Sequence, residues 1–293
     1  MAADASPEDD PVAVAPAVDT IHVGFGAHHV VVRSASPQVA AELRTLLGPM
    51  VIHGPVGTLA GQLDAFAEHG SIRIVGAPDA AEPLNVEPDW APRELYHATL
   101  KLLMLARQDL VWIHAGVAAY GDRAHLFAGP SGQGKSTLVG ALIDRGWTYF
   151  SDEIAAIDCE SGTVHPFPLA PHRRVHDGEF VLLEAVEAIR GLRKVAVEFP
   201  PHAVGQRPLP LERLCILRYA PETNTIHEAP CTPAQAVLEL LGNSLNITSN
   251  REREITFLAQ LVSLVPVVQI SYPNAEAAAA TVHSRAVTRP AAT

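Results

Sequence analysis

The chain is poor in cysteine, with three in 293 residues, and aromatic side chains make up only 5%. Cys159, Cys215 and Cys231 are isolated and form no C-x-x-C pair. That argues against a disulfide framework and fits a reducing compartment, with the three thiols as apolar filler. Lysine and arginine are outnumbered by aspartate and glutamate, 21 to 32, and the net charge of −11 leaves no basic footprint for nucleic acid or an anionic membrane. Fourteen histidines are present, yet none shows H-E-x-x-H or zinc-finger spacing. No window approaches the roughly 18 apolar residues of a membrane span. The nearest, Leu261 to Ile270, is short and contains Pro266. The first residues carry Asp4, Glu8, Asp9 and Asp10 in a Pro/Ala-rich stretch. They lack the basic start and unbroken apolar run of a secretory signal. These absences predict a cytoplasmic protein with no nucleic-acid or membrane partner.

What the composition does supply is 48% hydrophobic and 18% charged residues, an ordinary globular balance with ample core. The length favours two domains or one large one. The composition and patterning predict a disordered tail at 1–19, a small α/β N-terminal lobe at 20–108, a larger α/β domain at 109–285 and a tail at 286–293. In the lobe, Ile21 to Ser34 alternates in strand fashion with a bend suggested by Gly24 and Gly26. Val39 to Leu47 reads as a short helix ended by Gly48, Ser71 to Val75 as a strand and Pro92 to Arg107 as a helix. Gly24-x-Gly26 lacks the third glycine and following helix of a dinucleotide site. Further on, strands are predicted at 111–114, 116–120, 124–128, 147–150, 153–158 and 163–167, the last two as a hairpin. A segment follows at 179–190, then a strand at Leu211 to Tyr219, helices at 232–241 and 251–264, and a strand at Val267 to Tyr272.

Residues 129–137 read Gly-Pro-Ser-Gly-Gln-Gly-Lys-Ser-Thr. Gly129, Gly134, Lys135 and Ser136 fill the G-x-x-x-x-G-K-[ST] phosphate-binding loop. Such a loop turns backbone N–H groups inward around a polyanion, which side chains at the glycine positions would resist. Lys135 would reach the β- and γ-phosphates of ATP, and the Ser136 hydroxyl would ligate Mg²⁺. Ser131, Gly132, Gln133 and Thr137 complete the nucleotide-binding set. A buried strand ahead of the loop and a helix from Ser136 to Arg145 behind it give the motif its required context.

Asp152 follows the apolar stretch Trp147–Phe150, one helix downstream of Lys135. That spacing returns the chain to the phosphates, where an aspartate holds Mg²⁺ or takes a proton from an attacking hydroxyl. Glu153 is adjacent, and at a strand end both carboxylates reach the same place. The short spacing, with no L-S-G-G-Q segment, argues against transporter-type ATPases. His114, in an apolar run just before the loop's strand, is a candidate of lower specificity. Arg173 and Arg174 would steady transition-state charge, and Lys194 and Arg207 are similar candidates.

The stretch Trp112 to Asp158 resembles the catalytic core of HPr serine kinase/phosphorylase and its related kinases. The resemblance rests on Ile113-His114-Ala115-Gly116-Val117, the loop at 129–136, Arg145-Gly146-Trp147 and Ser151-Asp152-Glu153. It implies an α/β fold with a phosphoenolpyruvate carboxykinase-like, HPr kinase-like P-loop core and a mixed sheet. It also implies that Asp152 is the base toward a substrate serine, with His114 close to it, and a homo-oligomeric assembly. Two positions depart from the family: Glu153 stands where it has a second aspartate, and Thr137 where the bifunctional enzymes have glutamate. The expected activity is therefore transfer of the γ-phosphoryl group of ATP to a hydroxyl, most simply a serine of a peptide or small protein. A small-molecule kinase of shikimate or gluconate type and a non-catalytic ATP-binding regulator are the alternatives. A five-stranded parallel sheet would mark the former.

Overall fold

The computed structural model describes residues 18–176, 179–180, 193–196, 200–245 and 251–288, with side chains outside 172–199 and 201. The chain opens with β1 (Asp19–Phe25) and β2 (His28–Ser34), a hairpin closed at Gly26 and Ala27. There follow α1 (Pro37–Leu47), β3 (Val51–Ile52), β4 (Thr58–Glu68), β5 (Ser71–Val75), β6 (Leu84–Val86) and α2 (Ala91–Leu105). The six strands form one sheet in the order β3-β1-β2-β4-β5-β6, in which only β2 and β4 run parallel. Strand alternation sends Val23, Val30, Val32, Leu63 and Ile74 to one face. There they pack with Leu43 and Leu47 of α1 and Leu95 and Leu103 of α2.

The second half contains β7 (Leu110–Ile113), β8 (Ala115–Tyr120), β9 (Arg123–Ala128), α3 (Lys135–Ile143), β10 (Thr148–Ser151), β11 (Ala155–Asp158) and β12 (Thr163–His165). After these come β13 (His172–His176), β14 (Glu179–Phe180) and β15 (Arg193–Ala196), paired among themselves in the order β14-β13-β15. The chain then forms β16 (Leu209–Tyr219), β17 (His227–Pro230), α4 (Pro233–Gly242), α5 (Arg251–Leu264), β18 (Val267–Tyr272) and α6 (Ala275–Val287).

Nine of these strands make a mixed sheet. Its path is β10-β8-β9-β16-β12-β11-β7, and β18 joins β16 and carries β17. β9, β16 and β18 are parallel, whereas β8 lies antiparallel to β9 and β10 antiparallel to β8. The β11–β12 hairpin is present as the sequence predicts. Both faces are covered, so the strands read as apolar runs rather than alternating ones. Phe127, Cys215 and Leu217 face α3 and α6, while Leu126, Leu214 and Ile216 face α4 and α5. The cluster beneath the first sheet continues into Trp112, Ile154, Ala156, Phe167 and Leu169, so the two sheets share packing.

The structure departs from the sequence reading at both ends of the apolar scale. β4, the longest strand of the first sheet, carries buried residues only at Leu63 and Ala65, too few for its period to be read. α6 runs to Val287, past the predicted start of a tail, and its alanine-rich sequence has little amphipathic contrast. Asn274 caps it, its side chain accepting from the Ala277 N–H at 2.8 Å. The 179–190 segment lies largely outside the described residues.

Candidate active site

The phosphate-loop sequence joins β9 to α3. Gly129 and Gly134 have φ of +154° and +74°, in the region that side chains resist. The loop also has no room for them. A Cβ on Gly134 would lie 2.9 Å from the Tyr272 hydroxyl, and one on Gly129 would lie 3.1 Å from the Leu217 carbonyl oxygen. Those neighbours are the ends of β18 and β16, and they fasten the loop. The Tyr272 hydroxyl donates to the Gln133 carbonyl, and the Gln133 side chain accepts from the Tyr219 N–H at 2.6 Å. Gln133 thus spends its side chain on the scaffold. Ser131 is exposed and Gly132 half-exposed at the loop's tip, and Ser136 and Thr137 are exposed on the first turn of α3.

Lys135, the first residue of α3, is only 6% exposed. Its ammonium donates to the carbonyl oxygens of Gly129 at 2.7 Å and Pro130 at 3.1 Å. Burial pushes its pKa down to about 8, against the pull of the Glu153 carboxylate. The β8 strand allows this close approach of α3 because Gly116 faces it: a Cβ there would lie 2.8 Å from Val139 Cγ2.

β10 ends at Ser151, and its hydroxyl accepts from the Glu153 N–H at 3.3 Å and the Ile154 N–H at 2.9 Å. The chain therefore turns at Asp152 and Glu153 instead of continuing extended. Asp152 is 6% exposed and lies near the Ser136 hydroxyl. The Tyr149 hydroxyl stands 2.9 Å from both Asp152 Oδ1 and the Leu169 carbonyl oxygen. The phenol donates its one proton, which the Asp152 carboxylate and the Leu169 carbonyl share as acceptors. Burial pushes the Asp152 pKa up to about 6, with the Tyr149 hydrogen bond and the nearby Ser136 hydroxyl opposing and the Glu153 charge adding. Burial holds the Tyr149 phenol well above its ordinary value.

Glu153 is half-buried. The Tyr96 hydroxyl of α2 donates to its Oε2 at 3.3 Å. Burial foremost, and then the Glu153 charge, raise the Tyr96 phenol and keep it protonated.

His114 sits at the junction of β7 and β8, its backbone N–H donating to the Asn243 carbonyl at 2.7 Å. Next to it, the Ala115 N–H donates to the Glu153 carbonyl at 3.1 Å, and Ala115 lies opposite Ala128, the residue before the loop. The fold therefore gathers His114, Lys135, Ser136, Asp152 and Glu153 at the ends of adjacent strands. Arg207 is not among them, since it pairs with Asp122 in the turn at the opposite end of β9. The side chains of Arg173, Arg174 and Lys194 lie outside the described residues.

Sequence reasoning missed the tyrosines. No motif singles out Tyr96, Tyr149 or Tyr272, and only the placement of their hydroxyls ties them to the site. Ser136 and Asp152 offer a hydroxyl and a carboxylate oxygen near each other, the hard donors that Mg²⁺ takes. Among the described residues no group of three or more His, Cys, Asp or Glu side chains is arranged to hold a metal. A magnesium site shared with substrate phosphates does not require one.

No protein-family model and no curated protein matches the chain. Among solved structures, the Hpr(Ser) kinase/phosphatase from Coxiella burnetii aligns over 60% of this chain and 90% of that chain. The identity is 14% and the TM-score 0.31, a likeness too slight to bear on the chemistry of the site.

Proposed function

We propose that this protein is an ATP-dependent kinase that transfers the γ-phosphoryl group to a hydroxyl, with a serine of a peptide or small protein as the acceptor class. The observation that carries the reading is the buried Asp152 carboxyl, turned in after β10 beside the Ser136 hydroxyl of the phosphate-loop motif. Phosphoryl transfer asks for positioning and charge neutralisation more than covalent chemistry. The loop backbone and Lys135 supply positive character, and the helix dipole of α3 adds to it. Ser136 and Asp152 would hold Mg²⁺, which when bound neutralises charge on the phosphates.

The acidic pair divides by environment. Asp152 is deeply buried, engaged by Tyr149 and near Ser136, which suits the metal side. A general base must come within hydrogen-bond reach of the acceptor proton. Glu153 is the more open of the two and is the residue we assign to that task, in place of the Asp152 base that the family resemblance implies. The mixed sheet, with antiparallel β8 between β9 and β10, speaks against the parallel-sheet small-molecule kinases.

The test is incubation with γ-labelled ATP, Mg²⁺, serine-containing peptides and the products of neighbouring genes, read by mass spectrometry. A phosphorylated serine supports the proposal. A phosphorylated small molecule alone, or bound ATP with no phosphorylated product, refutes it in favour of one of the two alternatives.

A further inference from the structure

We infer that Tyr96 is a positioning residue for Glu153, supplied to the site by the N-terminal half of the chain. The inference rests on the kinase reading and extends it to a residue outside the loop-and-carboxylate segment. Tyr96 lies on α2, whose other buried side chains, Leu95, Leu100 and Leu103, belong to the core beneath the first sheet. Its own ring is 6% exposed and packed in that same cluster. The cluster reaches Ile154, the residue after Glu153, and Trp112, two before His114. The ring is therefore fixed by packing on both sides, and its hydroxyl is the part that meets a charged group.

That hydroxyl donates to Oε2 of Glu153 at 3.3 Å. A glutamate has three side-chain torsions and, on a turn, little to select one rotamer. Holding one oxygen fixes the plane of the carboxylate and leaves Oε1 to the acceptor. A bond from a neutral donor to a carboxylate is of the charge-assisted kind. No bond forms or breaks at Tyr96, and it keeps its proton throughout.

The experiment compares steady-state transfer by wild type, Tyr96→Phe, Glu153→Gln and the double variant. Phenylalanine keeps the ring and its packing, so the fold is retained, which circular dichroism checks. Tyr96→Phe is expected to lower kcat by about 10-fold or more while leaving KM for ATP within about twofold. In the Glu153→Gln background the same change is expected to have no further effect, because the group it orients is gone. A Tyr96→Phe enzyme with wild-type kcat, or an equal loss in both backgrounds, overturns the inference and leaves the kinase reading standing. A wild-type protein that phosphorylates no acceptor overturns both.

Discussion

The Tyr149 hydroxyl of β10 donates to Asp152 Oδ1 at 2.9 Å, just past the end of the strand. That carboxyl group is buried beside a phosphate-loop motif, and its burial has a cost that can be measured. The folded chain holds the Asp152 proton to a pKa of about 6, whereas the ordinary value is 3.8. Between those values the folded state binds more protons than the unfolded one, so stability falls as pH rises through the window. Asn at this position carries no charge and still accepts from Tyr149. In EDTA, Asp152→Asn is expected to exceed wild type by about 3 kcal/mol at pH 8, with the gap closing toward pH 4. Urea titrations at both pH values check this, and an Asn variant less stable than wild type at pH 8 would contradict it.

Lys135 titrates in the opposite sense. Desolvation lowers its pKa to about 8, so near that pH the ammonium is half deprotonated before any anion arrives. A bound polyphosphate favours the charged form. Nucleotide binding at pH 8 is therefore expected to take up about half a proton per site, and Lys135→Met to abolish the uptake. Calorimetry in buffers of different ionisation enthalpy reads it directly. Equal uptake by the variant would place the proton elsewhere.

The loop's shape depends on Gly134 and Tyr272 together. Gly134→Ala meets both a φ of +74° and a hydroxyl at 2.9 Å from the new Cβ. The expected loss is about 1–3 kcal/mol of stability, with weaker ATP binding. Adding Tyr272→Phe removes the contact but not the backbone strain, so thermal unfolding of the double variant is expected to show partial recovery only. Full recovery would mean that the strain is absent.

How much of this could be read from the sequence varies with the kind of signal. The loop, the helix behind it and the β11–β12 hairpin were legible because glycine spacing and apolar period are local. β18 was predicted as Val267 to Tyr272, the span it occupies. That the sheet is mixed was legible only through the family resemblance, and the strand order was not legible at all, since nothing in the β8 sequence says that it lies between β9 and β10. The acidic pair could be placed, but the division of roles could not. That depends on the Ser151 turn and on hydroxyls from Tyr149 and Tyr96, which look in sequence like any buried aromatics. Gln133 was read as a nucleotide contact, and its commitment to Tyr219 comes from strands far along the chain. α6 escaped because alanine repeats give helix propensity without contrast.

The central claim, that the site transfers phosphate to a hydroxyl, is tested most directly by following label from γ-labelled ATP into acceptor with wild type and Lys135→Ala. The account predicts a phosphorylated acceptor with wild type and a rate lower by about 100-fold or more with the variant. Equal transfer by the two proteins, or ATP binding by wild type without any phosphorylated product, would contradict it.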